Sequence, residues 1–141
     1  MILLDNHTDY TIDLTLLEKI AQYLNVKKDI ELIITDNKTI QEYNQEYRGI
    51  NKATDVLSFP LEDIEFMPLG SIVISLDKAK EVASKLNHSI NNEISLLFIH
   101  GLLHLMGYDH EVDNGQMREM ESKIIKEFNL PDSLIVRTKR E

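Results

Sequence analysis

Apolar residues recur at intervals of three and four along several stretches of this chain, with short β-branched runs between them. Leu14, Leu17, Ile20, Ala21 and Leu24 follow the first pattern, so residues 13–25 read as a core-facing amphipathic helix with Asp13 as its N-cap. Ile30-Glu-Leu-Ile-Ile34 follows the second and reads as a strand, and residues 2–5 form a shorter candidate. Helical spacing returns from Asp36 or Asn37 to about Tyr47, with Ile40, Tyr43 and Tyr47 as the expected buried stripe. Two tyrosines also suit base stacking, but at this spacing they are expected in the core. The segment from Arg48 to Asp55 is polar at first and lacks a period, as a loop does. Val56 to Phe59 reads as a strand that Pro60 ends.

An acidic stretch, 61–69, reads as a connection, and Gly70-Ser-Ile-Val-Ile-Ser75 is the clearest strand. Ser75 then caps a helix with Asp77 in its first turn and Ala79, Val82, Ala83 and Leu86 on its apolar side. Asn87, His88 and Ser89 interrupt the pattern. From Ser89 to Leu105 apolar residues fall on most sides, which is the mark of a buried helix. Asp113 and Gln116 make a capping box for a last helix, whose inner face is Met117, Met120, Ile124 and Phe128 and which Pro131 ends. The expected fold is α+β. It is a single domain over residues 1–141, with one mixed sheet of about four strands covered by about five helices.

The buried helix carries the chemistry. His100 and His104 are i and i+4, about 5–6 Å apart at Cβ on one face, which suits two imidazoles on one metal ion. Continued helix would carry His110 roughly 9 Å along the axis and roughly 120° around it, away from the other two. The helix must therefore stop between them, and Gly107 is where the chain can take the left-handed backbone of a helix end. Three imidazoles and one open position describe a catalytic rather than a structural zinc site. The chain has no cysteine to build the usual structural kind. The spacing is that of the metzincin pattern H-E-x-x-H-x-x-G-x-x-H, except that Gly101 stands where the proteolytic glutamate would be. That argues against peptide hydrolysis. His88 reads either as a fourth ligand or as a capping or surface residue. Glu93, two turns before His100, reads as a carboxylate behind the metal site, as a distant base, or as a solvated first-turn residue. Asp109 is a candidate to orient a histidine or hold water.

Charge narrows the partners. At −9 the chain is unsuited to coat nucleic acid non-specifically, since such binding needs cations against phosphates. Any nucleic acid must be held locally, by the metal, by a partner, or by small basic groups such as Arg48 with Lys52, or Arg137, Lys139 and Arg140. Arg48 by spacing alone is a helix C-terminal charge; its functional alternative is a fork of donors for phosphate. No apolar run approaches a membrane span, no secretory signal is visible at the N-terminus, and the absence of cysteine suits a reducing cytoplasm.

Three stretches together resemble one family. They are His100-Gly-Leu-Leu-His104-Leu-Met-Gly-Tyr-Asp-His110, Tyr47-Arg48-Gly49 and Thr54-Asp-Val-Leu-Ser-Phe-Pro60, and the likeness extends through Gly70 to Ser75. The chain resembles the YbeY-type single-strand-specific endoribonucleases of bacterial ribosomal RNA maturation, with matching element order over essentially its whole length. The resemblance implies one Zn2+ held by His100, His104 and His110, with Arg48 linked to activity. It implies cleavage of small-subunit (16S) ribosomal RNA, including its 3′ end, a role in ribosome quality control, and a cytoplasmic protein. The partners implied are single-stranded ribosomal RNA and the small subunit, with a ribosomal protein or assembly GTPase to deliver an acidic enzyme. Ser71 departs from the family, which usually has aspartate after the glycine. Both water and the RNA 2′-hydroxyl stay open as nucleophile, and no strong general base stands out. Two rival readings are a non-catalytic ribosome assembly factor with a structural zinc and a metallopeptidase.

Overall fold

The computed structural model describes residues 1–109 and 111–131. Its four strands are β1 (Ile2–Asn6), β2 (Ile30–Thr35), β3 (Val56–Pro60) and β4 (Gly70–Ser75). They form one mixed sheet in the order β1-β2-β4-β3. The first three in that order are parallel, and β3 is an antiparallel edge strand with Val56 opposite Ile74 and Pro60 opposite Gly70. Proline belongs at such an edge, where its missing N–H leaves no ladder bond unmade. The five helices are α1 (Leu14–Tyr23), α2 (Asn37–Arg48), α3 (Leu76–Leu86), α4 (Ile90–Leu105) and α5 (Gln116–Phe128). The expected α+β architecture, with four strands and five helices, is what the chain adopts among its described residues.

Alternation along the strands sorts the core into two layers. Ile30, Leu32, Ile34, Ile72 and Ile74 join Leu97, Phe98, Leu102, Met117 and Ile124 in the larger cluster. Leu57 and Val73 point the other way, against Ile40 of α2. α4 is buried along almost its full length, as its apolar surface predicts. The chain brings it close to the sheet at Gly101, where an added Cβ would lie 3.0 Å from Ile72 Cγ2.

The helix starts follow the sequence closely. The side chains of Asp13, Asp36, Ser75 and Ser89 each accept a bond from the backbone N–H three residues on. α5 differs from the expected capping box. Its N-cap is Gly115, while Asp113 takes the N–H groups of Gly115 and Met117, and Gln116 accepts from Asn114 N. The left-handed Gly115 moves the helix start two residues beyond the carboxylate that serves it. A second difference concerns α2. Ile40 is buried and Tyr43 partly so, but Tyr47 is 61 % exposed and Asn44 is buried instead. The last turn of α2 lies near the sheet's edge strand, so the helical period continues there without a core to fill.

Candidate active site

α4 presents His100 and His104 to a cleft of about 580 Å3, and Arg48, Asp55, Ser58, Tyr108, Asp109 and Glu111 are among its other walls. Chain reversal after α4 is a Schellman turn. Gly107, at φ +100°, donates to His104 O, and Tyr108 N donates to Leu103 O. Tyr108 packs on the larger core, the apolar contact that commonly accompanies this turn. The turn also fixes an imidazole, because the Tyr108 carbonyl then lies 3.0 Å from His104 Nδ1. One glycine thus ends the helix and supplies the acceptor that orients its last histidine.

His100 is oriented from another element. Its Nδ1 lies 2.9 Å from Glu121 Oε1 of α5. With both Nδ1 atoms facing acceptors, each neutral ring carries its hydrogen there and its lone pair on Nε2. The two Nε2 atoms are 3.2 Å apart. Two lone pairs at that distance are a poor neutral contact, yet two nitrogens on one tetrahedral zinc lie roughly 3.3 Å apart. The pair fits a shared cation. Among the described residues no group of three His, Cys, Asp or Glu side chains completes a metal set. The third expected ligand, His110, lies outside the described residues, as does the basic tail of Arg137, Lys139 and Arg140.

Arg48, the last residue of α2, reaches the same cleft as the two histidines. Gly49 at φ +70° closes the helix behind it. Arg48 and His100 are 52 positions apart in the chain, and the edge strand β3 is what brings them together. Lys52 is exposed and is not among the cleft residues.

Other candidate residues resolve differently. His88 Nε2 lies 2.8 Å from Glu93 Oε1, so these two pair with each other at the start of α4. His88 is therefore not a surface residue, nor does it line the cleft. Glu93 is only 1 % exposed and is not solvated. The carboxylate behind His100 is instead Glu121, also 1 % exposed, which the sequence reading overlooked. Its signal was available: Glu121 falls on the stripe Met117, Glu121, Ile124, Phe128, where a charge has no business without a partner. Asp109 lines the cleft, but its Oδ1 accepts from Glu111 N. Gly101 also has a packing role, since a Cβ there would sit 3.0 Å from Ile72 Cγ2, which would have to give way slightly.

Comparison with known proteins now decides the lineage. A family model described as Endoribonuclease YbeY matches residues 5–129. The chain belongs to the YbeY family. It is 60 % identical to the Endoribonuclease YbeY of Nautilia profundicola over 97 % of this chain and 98 % of that one. It is 58 % identical to that of Campylobacter jejuni, over 98 % of each chain. A solution structure from Thermotoga maritima shares its fold, with TM-score 0.61 and 30 % identity over 90 % of this chain and 88 % of the other. The YbeY fold thus puts both imidazoles and Arg48 around one opening. No helix among the described residues is long and apolar enough to cross a membrane.

Proposed function

We propose that this chain is a metal-dependent endoribonuclease cleaving single-stranded RNA, with zinc held by His100, His104 and His110. The observation that carries the reading is the convergence of two Nε2 atoms at 3.2 Å in a cleft that also receives Arg48. Membership of a family whose curated relatives are named endoribonucleases supplies the substrate class. When bound, the ion supplies Lewis acidity to a phosphodiester.

The chain's own residues do the rest. Glu121 and the Tyr108 carbonyl hold the two rings so that Nε2 faces the cleft. Arg48 offers fixed positive charge where negative charge grows on the phosphate in the transition state. Asp55, Asp109 and Glu111 make the remainder of the cleft acidic, which limits non-specific phosphate binding. With a net charge of −9, the enzyme depends on its target being presented. That favours small-subunit (16S) ribosomal RNA, its 3′ end included, delivered with a ribosomal protein or assembly GTPase in the cytoplasm, and a role in ribosome quality control.

Gly101 weighs against the metallopeptidase reading, because the helix is too close to Ile72 for the required glutamate without a shift. The reading as an assembly factor with structural zinc is tested directly. A single-stranded ribosomal RNA 3′-end fragment is incubated with wild type, His110→Ala and Arg48→Ala, with and without added zinc. Metal-dependent cleavage by wild type is expected, with none from His110→Ala. Arg48→Ala should be slower by about 10²-fold with its fold unchanged. Equal activity in all three folded proteins, or none in any, would transfer the assignment to the assembly factor.

A further inference from the structure

We propose that Tyr47, backed by Tyr43 and Phe59, is a stacking subsite for one base of a single-stranded RNA, next to the phosphate held at Arg48. The inference rests on the endoribonuclease reading and adds to it where the strand goes when it leaves the cleft.

Three rings form the platform. Tyr43 and Tyr47 stack at 6.1 Å and 20°, Phe59 meets Tyr47 at 5.2 Å and 58°, and Phe59 lies 6.4 Å from Tyr43. Tyr43 and Phe59 are anchored on the smaller core. Tyr47 is not anchored in that way and stays 61 % exposed. A tyrosine held by two other rings, yet left open to solvent, is a prepared aromatic surface with little freedom left to lose.

Its position relates it to the cleft. Tyr47 directly precedes Arg48, and Phe59 sits between Ser58 and Pro60; Arg48, Ser58 and Pro60 all line the opening. Among the described residues β3 is the outermost strand, with nothing paired beyond it. Phe59 and Leu57 face the α2 side of that strand, while Val56 packs on the opposite, α4 side. Among the described residues, the edge strand lies between platform and cleft. A nucleic-acid strand passing over this edge would meet Arg48 and then Tyr47.

Electrostatics gives the subsite a purpose. The cleft carries Asp55, Asp109 and Glu111 beside Arg48, in a chain of net charge −9. These carboxylates offset the positive charge of Arg48 and of a metal ion at the imidazoles, so contacts that do not depend on charge add to affinity. Base-on-aromatic stacking is such a contact and accepts any base, which suits an enzyme selective for single strands. A paired base is already stacked in its own helix and cannot use the platform.

The test is steady-state cleavage of a single-stranded oligoribonucleotide by wild type, Tyr47→Ala, Tyr47→Leu and Tyr47→Trp. The oligonucleotide is used intact and with one abasic residue walked through the positions around the cut. For wild type, one abasic position should raise KM about ten-fold. Tyr47→Ala should raise KM similarly on intact RNA and show no further penalty at that position. Tyr47→Leu, which keeps apolar packing without a ring face, should behave like Tyr47→Ala, and Tyr47→Trp like wild type. A merely structural tyrosine would not cancel the abasic penalty. The proposal is overturned if Tyr47→Ala keeps wild-type KM, as it would were this face a protein-docking surface, or if the abasic penalty is the same in both. RNA left uncut by wild type would sink the endoribonuclease reading, and the subsite with it, and is told apart because it appears before any substitution.

Discussion

α4 is flanked by two buried histidine–glutamate pairs with nearly the same length and opposite meaning. His88–Glu93 closes at 2.8 Å and His100–Glu121 at 2.9 Å, and both glutamates are almost wholly inaccessible. In the first, the carboxylate engages Nε2, from five positions along the chain, across the junction of α3 and α4. In the second it comes from α5 and engages Nδ1, so Nε2 is turned toward His104 in an open cleft. The type of pair does not identify a site. The nitrogen it occupies, and what the other nitrogen faces, do.

The largest test of this contrast exchanges the two histidines' fates. His100→Ala is expected to lower kcat/KM by more than about 10³-fold and to abolish stoichiometric zinc, measured by elemental analysis of purified protein. His88→Ala should keep its zinc and its activity and lose about 1–3 kcal/mol of stability in denaturant titration, because a buried partner of Glu93 is gone. Zinc loss from His88→Ala would erase the distinction.

Glu121 provides the next, smaller effect. Its Oε1 holds His100, while its Oε2 is buried without a hydrogen-bond partner among the described residues. A buried carboxylate that holds an imidazole by Nδ1, leaving Nε2 toward the cleft, suits a place behind a bound metal ion. Glu121→Gln, similar in shape and uncharged, should weaken zinc affinity by roughly 10–100-fold in competition with a chelator. The equivalent change at the other pair, Glu93→Gln, should leave that affinity within about three-fold of wild type. Equal losses in both variants would mean that the two carboxylates act on stability rather than on the metal site.

Glu121 also marks where the sequence stops being legible. The strands, five helices and most caps follow from period and capping residues that act within a few positions of one another. Gly107 was readable for the same reason: two expected ligands on a helix and an expected third after it in the sequence require a stop between them. Glu121 belongs to a contact between elements, and only its anomalous place on an apolar stripe announced it. Tyr47 failed in the opposite direction. Its spacing is that of a core residue, but the end of α2 lies near an edge strand, and no period records where a sheet ends. Arg48 by spacing was a helix-end charge; the family resemblance, rather than its own neighbours, pointed to the cleft that it reaches.

A third carboxylate completes the contrast by being exposed. Asp36 caps α2, and its pKa is held below the ordinary 3.8 chiefly by the Thr39 backbone N–H, then by the Thr39 side chain. Those donors favour the ionised form in the folded chain. A pKa lower when folded than when unfolded contributes stability above the unfolded value, and that contribution disappears as pH falls through the folded one. Asp36→Ala should therefore melt below wild type at pH 7, with the gap steady down to about pH 5 and narrowing below about pH 4. Other acid-sensitive groups are common to both proteins and cancel in the difference. Unlike Glu121→Gln, this substitution should not change zinc affinity, since Asp36 lies outside the cleft lining. A melting gap independent of pH would assign the cap's contribution to hydrogen-bond geometry alone and remove charge from it.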